Sequence, residues 1–474
     1  MANYASILTH PIFKVVAQVA AELGTDAYIV GGYVRDLILE RPSKDIDIVV
    51  IGSGMDLAEA AGAKLRVKKV NLFKSFGTAQ FNYKDIDVEF VGARKESYRS
   101  DSRKPIVENG TLEEDQLRRD FTINALAISL NAANFGELID PFDGLGDIEK
   151  GILKTPLDPD ITFSDDPLRM LRAARFASQL DFKIVGSNLE AMKRNAHRLE
   201  IVSKERIMDE FNKIMLSKVP SRGLNLLFIT ELLKQFFPEM CALYGVETID
   251  CKSHKDNFYH TLEVIDNISE NTDDLWLRWA ALMHDIAKPP TKRFDPQQGF
   301  TFHGHEEMGA RMVPKVFTRL KLPLDVKMKY VQKLVRLHLR PISLVKGSVT
   351  DSAVRRLLFE AGQDVEDLMT LCNADITSKN DFKVKKYKKN FDEVAAKLRD
   401  VEEKDKVRDF QPPVSGELIM KTFGLAPCAE IGTIKTQIKD AILEGDIAND
   451  YEQAYTLMLE LGKQLGLSAK TIEQ

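Results

Sequence analysis

The sequence predicts an α+β protein, with a small α/β head at the N-terminus and a long all-α body behind it. Three observations lead there. Short apolar runs of strand type alternate with helical ones as far as about residue 155. After "KTPLDPD" the pattern is helical almost to the end. At 474 residues the chain exceeds one ordinary domain, so two to four are expected. In order, "PIFKVVAQVAAELG" (11–24) has helical periodicity, "AYIVG" reads as a short buried strand, and "YVRDLILE" as a helix. "DIDIVVI" is a second strand, with further strands at "TAQFNY" and "DIDVEFVG". "DFQPPVSG" (409–416) marks a late boundary.

An apolar fraction of 44% and a charged fraction of 29% are those of a globular protein. No apolar run approaches the roughly 20 residues of a membrane span, so no membrane partner is expected. "MANYASILTH" lacks the layout of a secretory signal, which makes the cytoplasm the expected compartment. Cys241, Cys251, Cys372 and Cys428 have no CxxC spacing and suggest neither a disulfide framework nor a zinc ribbon. A net charge of −5 excludes a chain that is basic all over, but a local basic face suffices for nucleic acid.

The head holds the first chemical signal, "YIVGGYVRDLILERPSKDIDIVV" (28–50). Alternate side chains of a strand face one way, so Asp45 and Asp47 project together while Ile46 turns to the core. Paired carboxylates repel unless a cation lies between them, and Mg²⁺ is the usual one in phosphoryl transfer. Gly31 and Gly32 stand between strand and helix, where missing Cβ atoms let backbone N–H groups approach a phosphate. Arg35, one turn on, is placed to meet triphosphate oxygens. Each feature alone fits a strand–turn–helix with solvated aspartates; the order and spacing together indicate a nucleotide site. No G-x-x-x-x-G-K-[ST] loop is present, which disfavours an ATPase.

"VGGYVRD…KDIDIVV" resembles the first motif of class II tRNA nucleotidyltransferases and bacterial poly(A) polymerases, members of the polymerase-β-like superfamily. "RRDFTINALA" (118–127), "IDPFDGLGDI" (139–148), "DDPLRMLRAARF" (165–176) and "ERIMDEF" (205–211) follow in family order. "GLAPCAEIG" and "AILEGDIAN" resemble more loosely the family's RNA-binding tail. The resemblance implies a polymerase-β-like nucleotidyltransferase head with tRNA, CTP and ATP as partners. It puts Arg119, Asp120 and Asn124 beside the triphosphate and ribose, and lets Arg172 and Arg175 reach the triphosphate. Read alone, Asp120 fits a helix start equally well. Glu89 is either a third acidic group near the metals or a structural residue.

Asp166 and Arg169 carry the sharpest expectation. Pro167 suits a first helical turn, which makes Asp166 a natural N-cap. Arg169, three residues on, is its neighbour on the helix surface. Facing a base edge instead, the pair would read it. Cytosine and adenine both offer an amino donor beside a ring-nitrogen acceptor, whereas guanine and uracil present the reverse. An Asp acceptor beside an Arg donor thus selects C and A without a template. "ARKESYRSDSRKPIVENGTLEEDQ", polar and poorly periodic, resembles the flexible loop of CCA-adding enzymes, which is shortened in relatives that add only CC.

Eight histidines are present, and six of them (254, 260, 284, 303, 305 and 338) fall in one stretch. A histidine on an amphipathic helix is usually a half-buried polar residue, but an adjacent His284-Asp285 with His260, His305, His338 and a distant Asp375 makes a site for a divalent transition metal. The order resembles the HD phosphohydrolase superfamily, which some bacterial tRNA nucleotidyltransferases carry at this position and poly(A) polymerases usually lack. His10, His197 and His254 read as incidental. "FKVKKYKKNF" (382–391), with Phe382 and Tyr387 among lysines, is either a solvated helix face or a contact for tRNA phosphates.

The expected plan is a catalytic head over 1–155, a nucleotide-selecting neck over 156–240, an HD domain over 241–380 and an RNA-binding tail over 381–474. The expected activity is CCA addition to tRNA. Its rivals are an A-adding enzyme or poly(A) polymerase, and an HD phosphohydrolase whose head only senses nucleotide.

Overall fold

A computed structural model of the chain describes residues 2–74, 77–99, 102–346, 350–377, 381–405 and 413–469. The chain divides into two units, Met1–Cys241 and Ala242–Gln474. In the first, the helix Pro11–Leu23 starts on a proline at its N-terminus, and His10 accepts from Ile12 N, so His10 serves as a cap. The strands follow as β1 Ala27–Val30, β2 Asp45–Val50, β3 Asn71–Phe73, β4 Thr78–Tyr83, β5 Ile86–Gly92, β6 Arg94–Arg99, β7 Ser102–Asn109, β8 Ala127–Ser129 and β9 Leu138–Ile139. Seven of them make one sheet in the order β3-β4-β5-β2-β1-β8-β9. β2 and β5 run parallel, and this sets Asp45 against Asp87 and Asp47 against Glu89. Their buried residues, Ile46, Ile48, Val88 and Phe90 among them, anchor the strands in the core and leave the acidic alternates outside it.

The described residues of the polar segment after β5 are largely regular. β6 and β7 form an antiparallel hairpin, and the helix Leu112–Leu117 follows behind a capping box of Thr111 and Glu114. Ladder hydrogen bonds join backbone groups whatever the side chains are, so the lack of apolar alternation hid the pairing.

The rest of the first unit is helical. Leu168–Leu180 packs on Lys204–Met215 and Pro220–Ile229. Gly223 permits that approach, since a Cβ there would lie 2.7 Å from Ile214 Cγ2. The second unit carries Asn257–Ser269, Leu275–Met283, His305–Leu320, Val326–Leu337 and Val365–Ala374 around buried apolar side chains such as Trp279, Phe258 and Phe317. Asp381–Asp405 is one long helix that buries Phe391, Val394, Leu398 and Val401 at helical spacing. Its first turns expose Phe382, Lys385, Lys386 and Lys389, while the side chain of Tyr387 and residues 409–412 of the expected late boundary lie outside the described residues. Among the described residues no helix is long and apolar enough to cross a membrane.

Candidate active site

Gly31 turns the chain from β1 into the helix Gly32–Ile38 at φ 76° and ψ −139°, a conformation that L side chains rarely adopt. A Cβ there would stand 2.9 Å from Arg119 Nη1 and 3.4 Å from Asp47 Oδ2, so the glycine makes room for a cation and a carboxylate. A Cβ at Gly32 would meet only Arg35, at 3.6 Å. Asp45 is exposed at the start of β2 and Asp47 is half-buried beside Glu89. Burial pushes the Asp47 carboxyl up; Arg119 opposes the shift and Asp45 adds to it. Glu89 is raised likewise, first by burial and then by Asp47. Carboxylates that resist ionising beside one another are a donor set suited to a divalent cation.

Arg35 is buried and hydrogen-bonded within the fold. Its Nη1 donates to Asn124 Oδ1 at 2.7 Å, and its Nε and Nη2 donate to Asp36 at 2.9–3.0 Å. Asn124 Nδ2 donates to Asp120 Oδ1 at 3.0 Å, and Asp120 Oδ2 accepts from Arg172 at 2.7 Å. Arg35 and Asn124 are therefore inner links of a chain that ends on Arg172. Arg175 pairs with Glu210 at 2.6 Å. Arg35, Arg172 and Arg175 all lie over the ring of Phe176, at 4.9, 5.3 and 4.1 Å from its centre. One phenyl ring and three acids, Asp36, Asp120 and Glu210, hold three like charges together.

Burial opposes ionisation of Asp120, but Arg172 and the Asn124 hydrogen bond outweigh it and hold the carboxyl down to about 2. The folded value lies below the unfolded one, so this contribution, about 2 kcal/mol, is complete above about pH 4 and vanishes as pH falls through about 2. In urea unfolding, Asp120→Asn is expected to lie about 2 kcal/mol below wild type at pH 7, with the gap about halved near pH 3. A gap that does not change with pH would contradict the ion pair.

The helix Leu168–Leu180 brings the remaining groups to one cavity of about 400 Å³, lined by Arg118, Arg119, Asp120, Asp166, Leu168, Arg169 and Arg172 on one side. Arg206, Asp209, Glu210 and Lys213 of Lys204–Met215 complete the lining. Asp166 Oδ1 accepts from Leu168 N at 3.2 Å, so it caps the helix and faces the cavity at once. Arg169 Nη2 donates to the Arg118 carbonyl at 2.7 Å.

Three residues escaped the sequence reading. Asp115, wholly buried, accepts from both Arg118 and Arg119 at 2.5–3.2 Å. Its spacing to those arginines, three and four residues on a helix, was a legible signal. Glu210 and Phe176 gave none, because their roles arise only where separate helices meet.

In the second unit, His260 Nε2 lies 2.8 Å from Asp375 Oδ1 and 3.5 Å from Asp285 Oδ2. His284 Nε2 lies 3.2 Å from the same Asp285 oxygen. Asp285 Oδ1 instead faces His305 and His338, at 3.3 and 3.9 Å, and those two Nε2 atoms are 3.3 Å apart. His260, His284 and Asp285 form one group able to hold a metal ion; Asp285, His305 and His338 form another. All six expected residues come together, whereas His303 is exposed and His254 bonds locally to Glu247 N and the Lys255 carbonyl.

The Nδ1 atoms of His284, His305 and His338 each lie 2.7 Å from a backbone carbonyl, of Ala281, Phe302 and Val335. A carbonyl only accepts, so each Nδ1 carries a proton and each Nε2 is the ring nitrogen turned to the cluster. His284 Nε2 is buried without a hydrogen bond, as a ligand nitrogen would be. Burial disfavours charge on His284, yet Asp285 and Asp375 raise it to about 10, while burial and His284 lower His338 to about 4. Lys288 Nζ stands 2.5 Å from Asp285 Oδ2.

Residues 27–154 match the family model of the poly A polymerase head domain, 181–243 that of a probable RNA and SrmB-binding site of polymerase A, and 257–379 the HD domain. The chain is 32% identical over 381 residues to a multifunctional CCA protein of Shewanella frigidimarina, covering 76% of this chain and 86% of that one. It is 31% identical over 356 residues to an A-adding tRNA nucleotidyltransferase of Deinococcus radiodurans, covering 72% and 77%. In fold it resembles the Bacillus stearothermophilus CCA-adding enzyme in complex with CTP, with a TM-score of 0.69, 23% identity and 97% and 99% of the two chains covered. The Thermotoga maritima CCA-adding enzyme complexed with tRNA gives a TM-score of 0.60, with 22% identity and 98% and 99% covered.

Proposed function

The chain belongs to the tRNA nucleotidyltransferase family that includes CCA-adding and A-adding enzymes, and on that footing we propose that it adds CCA to the 3′ end of tRNA, taking CMP and AMP from CTP and ATP and releasing pyrophosphate. One observation carries the reading: Asp166 and Arg169 share a cavity with Arg118, Arg119 and Arg172. A base-reading acceptor and donor thus stand beside cations suited to a triphosphate.

The tRNA 3′-hydroxyl attacks the α-phosphorus, a phosphodiester forms, and the bond to the β-phosphate breaks. Asp45 and Asp47 would hold Mg²⁺, with Glu89 beside them; when bound, the ion supplies the positive charge that such a displacement needs. Arg119 and Arg172 bind the triphosphate, Asp166 accepts from the amino group of C or A, and Arg169 donates to the ring nitrogen. Arg35, Asn124, Asp120 and Arg175 set Arg172 and the helix Leu168–Leu180 in place. Residues 1–155 form the head, 156–240 the neck, 241–380 the HD domain and 381–474 the RNA-binding tail, and the compartment is the cytoplasm. In the HD domain His260, His284, Asp285, His305, His338 and Asp375 would hold divalent transition-metal ions, two of them if Asp285 shares its oxygens, for phosphoester hydrolysis.

The test supplies tRNA ending before C, after CC, or complete, with CTP and ATP separately and together. Regeneration of CCA from both truncated ends supports the reading, and extension of the CC end alone makes the protein an A-adding enzyme, like the Deinococcus relative in name. Runs of A on complete tRNA make it a poly(A) polymerase. In the same assay Asp166→Ala is expected to lose about tenfold to a hundredfold with CTP and ATP, while GTP and UTP become relatively less disfavoured. A cap alone would lower the melting temperature by an equivalent of about 1 kcal/mol and affect all four nucleotides in proportion.

A further inference from the structure

We propose that Asp115 is a positioning residue that ties base selection to catalysis, an inference that rests on the nucleotidyl-transfer reading above. The carboxylate has no exposure to solvent and is divided between two arginines. Its Oδ1 accepts from Arg118 Nε and Nη2 at 3.0 and 2.5 Å, and its Oδ2 accepts from Arg119 Nε and Nη2 at 3.2 and 3.0 Å. Each guanidinium is gripped along one edge, so its direction as well as its place is set.

From Asp115 two branches run to opposite ends of the site. Through Arg119 the grip aims Nη1 at the space over Gly31 that Asp47 Oδ2 also borders. Through Arg118 it holds the residue whose carbonyl accepts from Arg169 Nη2 at 2.7 Å. The arginine beside Asp47 and the base-reading arginine thus hang from one buried acid, which itself lines no part of the cavity. Burial alone would favour a neutral Asp115, but Arg119 and Arg118 hold its carboxyl below the ordinary range. The grip is therefore charged, and loosening it frees both arginines together. A misdirected Arg119 slows the chemical step, and a misdirected Arg169 weakens the distinction between bases.

Asp115→Asn keeps the shape and removes the charge, whereas Asp115→Glu keeps the charge and displaces it by one methylene. Single-turnover incorporation of each of the four nucleotides into CC-ended tRNA, beside a melting curve, reads the outcome. Either variant that folds is expected to lose about tenfold to a hundredfold in turnover with less change in KM, and to narrow the preference for C and A over G and U by about tenfold. The inference is overturned if both variants keep wild-type turnover and preferences, or if all four nucleotides decline in proportion to the loss of melting temperature. A wild-type chain that incorporates nothing into any tRNA overturns the underlying reading instead. The two failures are thereby distinguished.

Discussion

Asp45→Ala and Asp47→Ala are each expected to lower nucleotide incorporation on the order of a thousandfold, about 4 kcal/mol in barrier, with little change in melting temperature. The contrast follows from where the side chains stand. Asp45 is exposed at the head of β2, and the strand's packing depends on Ile46, Ile48, Val49 and Val50. Burial raises the Asp47 carboxyl and Arg119 offsets it only in part, so the ionised side chain adds little to the stability of the fold. Nothing else at the start of β2 replaces a carboxylate that a cation needs. Asp47→Asn, which keeps the shape, should fail as Asp47→Ala does, because charge rather than volume is lost. Near-normal incorporation by both alanine variants would remove the metal role from this pair.

The second large effect lies in the other unit. Joint replacement of His284 and Asp285 by alanine is expected to abolish metal binding in the HD cluster while CCA addition continues. Asp285 is the residue that both ligand groups share, one oxygen toward His260 and His284 and the other toward His305 and His338. Its loss therefore disables both groups at once. Elemental analysis of protein loaded with Mn²⁺ or Ni²⁺ on an Asp45→Ala background, where the head contributes least, should find about two ions per chain, and none after the double replacement. His305→Asn with His338→Asn should leave about one. Any metal-dependent phosphoesterase activity should disappear with the ions. Collapse of CCA addition in a folded double variant would instead show that the two sites are coupled.

Legibility differed from residue to residue. Asp45 with Asp47, and His284 with Asp285, could be read because local spacing decides which way neighbouring side chains point. Asp166 supports two readings, cap and base reader; one carboxylate oxygen bonds Leu168 N, as a cap does, and the residue also lines the cavity. Arg35 shows how far local spacing reaches. One turn from a glycine pair is a fitting place for a phosphate-binding arginine, yet Asp36, Asn124 and Phe176 offer its guanidinium a complete set of partners inside the fold. The hairpin β6–β7 was missed because backbone pairing leaves no mark on a polar sequence.

The sequence by itself determined the α/β head and helical body, the order of the motifs, and the residue types that carry charge at each one. Those properties rest on period, composition and spacing within a few turns of chain. Only the tertiary structure decided which arginines face the cavity and which support it. It also decided that Asp115 and Glu210 hold them, and that Asp285 divides its two oxygens between separate histidine pairs. A long charged side chain has many rotamers of similar energy, and its direction is chosen by partners far away in sequence. Glu210 meets Arg175 and Asp375 meets His260 only because separate helices pack together.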